Sequence, residues 1–136
     1  MIKAITYILN NDANVQVLLG RNEADSKYKV YPSVVPQTEI APYIAVRKIA
    51  GVNTHKQSTD QEGQFDVYSY CKTYDETEAL ETEVIRALVG ISGSQNSVSI
   101  SFINQVNSRD DHVLIGGELL YSRVTTFQIN WSETLT

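Results

Sequence analysis

A single cysteine, Cys71, is all the thiol in this chain of 136 residues, so no internal disulfide can staple the fold. The chain fits a reducing compartment or a fold indifferent to redox, and Cys71 reads as a small apolar core residue on the buried face of its strand. With one Cys and two His (His55 and His112), the usual Cys/His spacings of a metal site cannot be assembled. No apolar stretch approaches the roughly 18 residues that a membrane span needs. Met1–Asn11 has one lysine and a broken apolar run, and it lacks the apolar region and cleavage site expected of a secretory signal. Glycine-rich phosphate loops are missing too, since Gly116-Gly117 alone is only a turn signal. Basic charge is also short: 11 Lys and Arg against 16 Asp and Glu leave a net charge of −5 and a pI near 4.9. That balance argues against gripping nucleic acid or an anionic membrane through a broad basic surface.

What is present is an ordinary globular balance, 42% hydrophobic and 20% charged, in a length that closes one core and is too short for two. Residues 1–136 therefore read as a single domain. The most informative stretch runs from Gln61 to Gly90. Gln64 to Cys71 alternates, with Phe65, Val67, Ser69 and Cys71 on one face and Asp66, Tyr68 and Tyr70 on the other, the period of a strand. Thr73-Tyr74-Asp75-Glu76 then reads as a capping box, in which Thr73 accepts from an orphan amide and Glu76 reaches back. Asp75, Glu76 and Glu78 sit at the positive end of the helix dipole and Arg86 in the last turn. Leu80, Val84, Ala87 and Leu88 recur at helical spacing, and Gly90 supplies a left-handed stop.

Upstream, Ile2, Ile5, Ile8 and Leu9 predict a short amphipathic helix, and Asp12 caps a second one through Val15, Leu18 and Leu19 to Gly20. Arg21–Lys29 reads as a polar loop. Pro32, Pro36 and Pro42 each remove an amide donor, so Tyr31–Pro42 is expected to run extended over the surface, outside any central ladder. Tyr43–Ile49 predicts the first sheet strand. The polar connector after it, at about residues 50–61, makes an antiparallel hairpin with an oversized, mobile tip. Beyond the helix, Gly90–Asn96 reads as a flexible turn, and Val98, Ile100, Phe102 and Val106 alternate as a strand with one wet face. Asn107–His112 reads as a polar loop and Gly116-Gly117 as a kink or bulge. Leu119–Trp131 is the last strand, with Leu119, Tyr121, Phe127, Ile129 and Trp131 on one side. The order α-α-β-β-α-β-β predicts an α+β domain: an antiparallel four-stranded sheet with helices packed on one face.

Chemistry is harder to place. His112 beside Asp110 and Asp111 could be drawn as a base with its orienting carboxylate, yet neighbours in a polar loop seldom converge and no nucleophile is positioned. His55 reads as exposed. Asp60, Glu62 and Asp66 share parity on one strand face, the pattern of a divalent-cation site in a small hydrolase, but no lysine accompanies them there and solvent-side polarity explains them better. No catalytic, cofactor or metal residue is assigned, and the chain is not read as an enzyme. Glu81 falls inside the apolar stripe of the main helix, where it is either paired within the fold or meets a neighbouring subunit. Tyr68 and Tyr70 suit a protein–protein contact, because tyrosine buries ring area while its hydroxyl stays paired, and they suit ordinary cross-strand packing equally.

Three features taken in order carry a resemblance. They are Val30-Tyr31-Pro32 after two short helices, Val35-Pro36-Gln37 leading into Ala41-Pro42-Tyr43-Ile44-Ala45-Val46-Arg47, and Phe65-Asp66-Val67-Tyr68-Ser69-Tyr70 running into Tyr74-Asp75-Glu76-Thr77-Glu78-Ala79-Leu80 and on to Arg86-Ala87-Leu88. Together they resemble the tail-completion proteins of long, flexible-tailed siphophages, also called tail-to-head joining or tail-terminator proteins, over residues 1–90. The resemblance implies an α+β subunit that forms an oligomeric ring, typically of about six copies, on the head-proximal end of the tail tube. The ring ends tube polymerisation and joins tail to head. Implied partners are further copies of the chain, the major tail tube protein and a neck or stopper protein, with DNA passing through the ring without sequence-specific binding and no membrane involved. The implied location is the head-proximal end of the virion tail, assembled in the host bacterial cytoplasm. A globule of this length has a radius of gyration of about 14 Å, so one copy cannot encircle a DNA-wide channel while a closed ring can. Interface candidates are Asn53, Thr54, His55, Lys56 and Gln57 in the connector, with Tyr68, Tyr70 and Glu81. The connector is hydrogen-bonding but too polar for a core, which suits a segment that orders against a neighbour or the tube. Competing expectations are a head-completion or stopper protein of the neck, a metal-dependent hydrolase using Asp60, Glu62 and Asp66, and a monomeric ligand-binding module.

Overall fold

Strands with one apolar face and helices with one apolar stripe must cover each other. The computed structural model describes residues 1–20, 29–33, 35, 41–53, 60–95, 98–115 and 117–133. Two short helices, α1 (Ile2–Asn10) and α2 (Ala13–Leu18), precede an edge strand β1 (Val30–Pro32). The hairpin of β2 (Tyr43–Asn53) and β3 (Asp60–Cys71) leads into the long helix α3 (Tyr74–Leu88), and a short β4 (Gly93–Gln95) leads into the hairpin of β5 (Val98–Ile115) and β6 (Glu118–Glu133). They form one sheet in the order β1-β2-β3-β6-β5-β4.

The four expected strands are its antiparallel centre, β2-β3-β6-β5, but the sheet has six strands and the expected element order lacked two of them. β1 adds to the β2 edge in parallel, from within the proline-containing stretch, and β4 adds to the β5 edge from within the expected turn. Pro32 is tolerated in β1 because an edge strand needs ladder bonds on one side only. The connector also shrinks. β2 and β3 stay paired out to Asn53↔Gln61, leaving 54–59, which lie outside the described residues. Residues 21–28 of the expected first loop lie outside them as well.

The largest correction is in β5. Asn107–His112 is strand, paired residue by residue with Thr126–Tyr121, and Gly117 (φ +81°) sits in the turn that joins β5 to β6. Bulges between Ile100 and Phe102 and between Gln105 and Asn107 reset the alternation. Ile103 therefore takes the fully buried place that simple alternation gives to Phe102, and Val106 is turned out to 52% exposure.

All three helices lie on the sheet face that carries Ile44, Val46, Phe65, Val67, Phe127 and Ile129. Ile5, Leu9, Val15, Leu80, Val84 and Leu88 cover these, and Cys71 is buried among them as expected. Phe65 and Phe127 are direct cross-strand neighbours whose rings stack 5.3 Å apart. Each such side chain contributes about 1.5–3 kcal/mol on burial. Both expected N-caps form: Asp12 Oδ1 accepts from the amides of Asn14 and Val15, and Thr73 Oγ1 accepts from the Glu76 amide at 3.3 Å. The return bond of a capping box, from the Thr73 amide to the Glu76 carboxylate, is not made. Asp12 also accepts two bonds from Arg86 Nη2, at 2.7 and 2.8 Å, tying α2 to α3. Among the described residues no helix is long and apolar enough to cross a membrane.

Candidate functional site

Burying Phe65, Val67 and Ser69 beneath the helices forces Asp66, Tyr68 and Tyr70 onto the opposite face. There the structure brings Tyr68 and Tyr70 together, with ring centroids 6.3 Å apart and planes 10° from parallel, and Tyr43 continues the row 5.0 Å from Tyr70. The Arg47 guanidinium lies 4.9 Å over the Tyr68 ring, and its Nε donates to the Ser33 carbonyl at 3.0 Å. Ala41, Tyr43 and Leu120 form a second, smaller buried cluster backed by Tyr31, Val35 and Tyr70. Burial there pushes the Tyr70 hydroxyl above its ordinary pKa. The result is a half-buried aromatic row edged by a cation, a surface suited to packing against another protein.

The described carboxylates on this face, Asp66 and Glu62, turn to different partners. Asp66, buried, accepts from Thr126 Oγ1 and, at 3.4 Å, from the Tyr68 hydroxyl, with Arg109 Nη2 at 3.6 Å. Glu62 accepts instead from Gln128 Nε2 at 2.8 Å, and the side chain of Asp60 lies outside the described residues. Separate partners give Asp66 and Glu62 their own hydrogen bonds, and among the described residues no three His, Cys, Asp or Glu side chains are grouped to hold a metal ion.

On the helix side, Glu81 finds partners inside the chain. Its Oε1 faces Arg123 Nη1 at 3.3 Å, and its Oε2 accepts from Thr125 Oγ1 at 2.9 Å and from Ser108 Oγ. Arg123 also contacts Asp110, with Nε 2.5 Å from Oδ1 but off the N–H line, and approaches Glu78 at 3.7 Å. Its Nη2 donates to the Tyr74 hydroxyl at 3.2 Å, and its guanidinium stands 5.5 Å from that ring's centroid. The Asp110 carboxylate, 3.4 Å from the Tyr74 hydroxyl, is the main cause of that hydroxyl's raised pKa. This network bolts α3 to β5 and β6.

Beside it opens a shallow depression of about 310 Å³, lined by Tyr74, Thr77, Asp110, Asp111, His112 and Tyr121 among others. His112 donates its backbone amide to Asp111 Oδ1 at 2.8 Å, and no hydrogen bond joins its imidazole to either neighbouring carboxylate. Sequence reasoning missed Arg123, Asp110 and Tyr74. A signal existed: Arg123 shares parity with Phe127 and Ile129 in the row beneath the helix, and a cation in a core row requires an anion on the element above it. Glu81 was the matching anomaly.

Beyond the helices the β5–β6 hairpin runs on as an arm. Its cross-strand pair Leu114 and Leu119 is 69% and 48% exposed. Asn53 ends β2, while its side chain and all of Thr54, His55, Lys56 and Gln57 lie outside the described residues.

No protein-family model matches this sequence, and no curated protein matches it. In structure the chain is similar to a chain of the virion of a native gene transfer agent (GTA) particle, with a TM-score of 0.71 at 15% sequence identity. The match covers 97% of this chain and 94% of that one. Over nearly its whole length, then, the chain has the fold of a chain found in a gene transfer agent virion.

Proposed function

We propose that this protein is a structural subunit of a phage or phage-like virion, acting as a ring of copies that caps the head-proximal end of the tail tube, ends tube polymerisation and joins tail to head. One observation carries the reading: the fold of a virion chain is shared over 97% of this chain and 94% of that one. The order of motifs in residues 1–90 supports the finer assignment to a tail terminator. The physics agrees. The far-face tyrosine row and the Leu114–Leu119 arm offer two apolar surfaces to partners, and the net charge of −5 lets a channel wall pass DNA without holding it. The chain works by fitting against copies of itself and a cylinder, and no substrate is transformed.

Electron microscopy of the purified full-length chain, alone and mixed with its tail tubes, tests this. Rings and tubes blunted at one end are expected. Particles that remain single at high concentration and ignore tube ends overturn the proposal, and attachment to filled heads in place of tube ends reassigns the chain to the neck. For the connector, replacing Asn53–Gln57 with a short Gly-Ser turn is expected to leave the subunit folded and abolish capping. Tails of normal length from that variant refute the connector's role.

A further inference from the structure

A sheet that is not closed into a barrel has two edges, each a row of unpaired backbone N–H and C=O groups. Here both are covered only in part. β1 pairs with β2 from Ile44 to Val46, and the Ser33 amide adds one bond to the Val46 carbonyl at 2.8 Å. From Arg47 to Asn53, no other strand among the described residues pairs with that edge. On the other side, β4 covers β5 from Val98 to Ile100, and the Gly90 amide reaches the Ile103 carbonyl at 3.4 Å. From Asn104 to Ile115 the outer edge of β5 is open among the described residues.

The two open edges are unlike. The β2 edge carries Arg47 and Lys48 side by side, followed by Ile49 at 51% exposure. The β5 edge carries Asp110 and Asp111 side by side, with Val106 at 52% exposure and Val113 also exposed. Arg109, the one cation on this stretch of β5, is turned to Asp66 at 3.6 Å. Arg47 and Asp110 have partners within the chain, whereas Lys48 and Asp111 have no ion-pair partner among the described residues. Two β2 edges repel each other, two β5 edges repel each other, and a β2 edge attracts a β5 edge.

We propose that copies of this chain join edge to edge, the β2 edge (Arg47–Asn53) of one pairing antiparallel with the β5 edge (Asn104–Ile115) of the next, so that the sheet continues round a closed ring. Strand direction permits it. β2 is antiparallel to β3, β3 to β6 and β6 to β5, so β2 and β5 point opposite ways. Across β3 and β6, Arg47 lies level with Asn107. A ring axis inclined to the strands, as in a barrel, is what keeps β2 of one copy antiparallel to β5 of its neighbour while sliding Arg47 and Lys48 towards Asp110 and Asp111. The antiparallel ladder is the better-bonded arrangement. Because the contact joins two different surfaces, it is heterologous, the type that forms a ring when the rotation between copies closes and an open filament when it does not. The inference rests on the ring reading above and supplies the surface that reading needs.

A charge-swap experiment on the full chain tests it. Lys48→Glu with Ile49→Glu makes both edges acidic, and Val106→Lys with Asp111→Lys makes both basic; all four side chains are exposed, so the fold is left alone. Each variant alone is expected to lose assembly in sedimentation velocity, while an equimolar mixture regains rings of alternating composition. Rings from either variant alone, or no recovery on mixing, overturn the edge pairing while the wild-type ring stands. A wild type that never assembles, even against tail tubes, removes the ring reading and the pairing with it. Hydrogen exchange on the wild type gives a second measurement: amides of 47–53 and 104–115 are expected to slow on assembly, and unchanged exchange refutes the pairing.

Discussion

Replacing Glu81 with Ala separates an internal strut from an interface residue. In the folded chain the carboxylate holds Arg123 at 3.3 Å and accepts from Thr125 and Ser108, and both Glu81 and Arg123 are 13% exposed. Hydrogen bonds to a charged group are worth about 1.5–3 kcal/mol each, and removing one partner of a buried ion pair costs about 3–5 kcal/mol. Here Arg123 keeps Asp110 and Glu78, so its charge is not stranded, which pulls the cost below that range. Glu81→Ala is therefore expected to destabilise the subunit by about 2–3 kcal/mol, and Glu81→Gln, which still accepts from Thr125 or Ser108, by about 1 kcal/mol. In urea the midpoint should fall by about 1 M with an unchanged slope, given a slope of about 1–3 kcal/mol/M. A double-mutant cycle with Arg123→Met should return a coupling of about 1–2 kcal/mol. A loss under about 0.5 kcal/mol refutes the strut, and failed assembly with stability intact assigns Glu81 to a neighbour.

Phe127→Ala, at the centre of the stacked pair, is expected to cost about 3–5 kcal/mol, read from the same urea titration, and a loss under about 1 kcal/mol means the two rings are not the keystone of this core. Thr73→Ala removes the side-chain acceptor from the first turn of α3 and should cost about 1 kcal/mol, while Thr73→Ser should be nearly neutral. Burial, helped by Glu76, pushes the Cys71 thiol from its ordinary 9.0 up to about 12. Between those values the unfolded chain releases a proton that the folded chain keeps, so stability falls as pH rises, by about 1.4 kcal/mol per pH unit for this one group. Stability curves from pH 8.5 to 11 should show a shallower alkaline decline for Cys71→Ala than for the wild type, and parallel curves refute the assignment.

The parts of the fold legible in the sequence were those with local causes. Asp12 and Thr73 announce their helices because a cap acts within three residues. The faces of β3 were readable because Phe65, Val67 and Cys71 alternate with polar neighbours over a run free of bulges. β5 defeated the same reading. Two bulges move Ile103 into the core, and Asn107–Asp111 are partly or largely exposed on both faces, so no period marks them as strand. What makes that segment a strand is the ladder supplied by β6. The connector was overestimated for the same reason, since polar residues flanking 54–59 are held by partners across the hairpin.

Of the candidate site, the sequence placed Tyr68 and Tyr70 on one face and marked Glu81 as out of place in its helix. It could not say what Glu81 meets, because Ser108, Arg123 and Thr125 lie 27, 42 and 44 residues away and converge only through strand order and register. By itself the sequence determined the three helices, the N-caps of α2 and α3 and the facing of the bulge-free strand β3, which follow from the pitch of a helix and the pleat of a strand. Only the tertiary structure decided which charges pair and which two strands are left with open edges, because those depend on how many strands the sheet recruits and where each one stops.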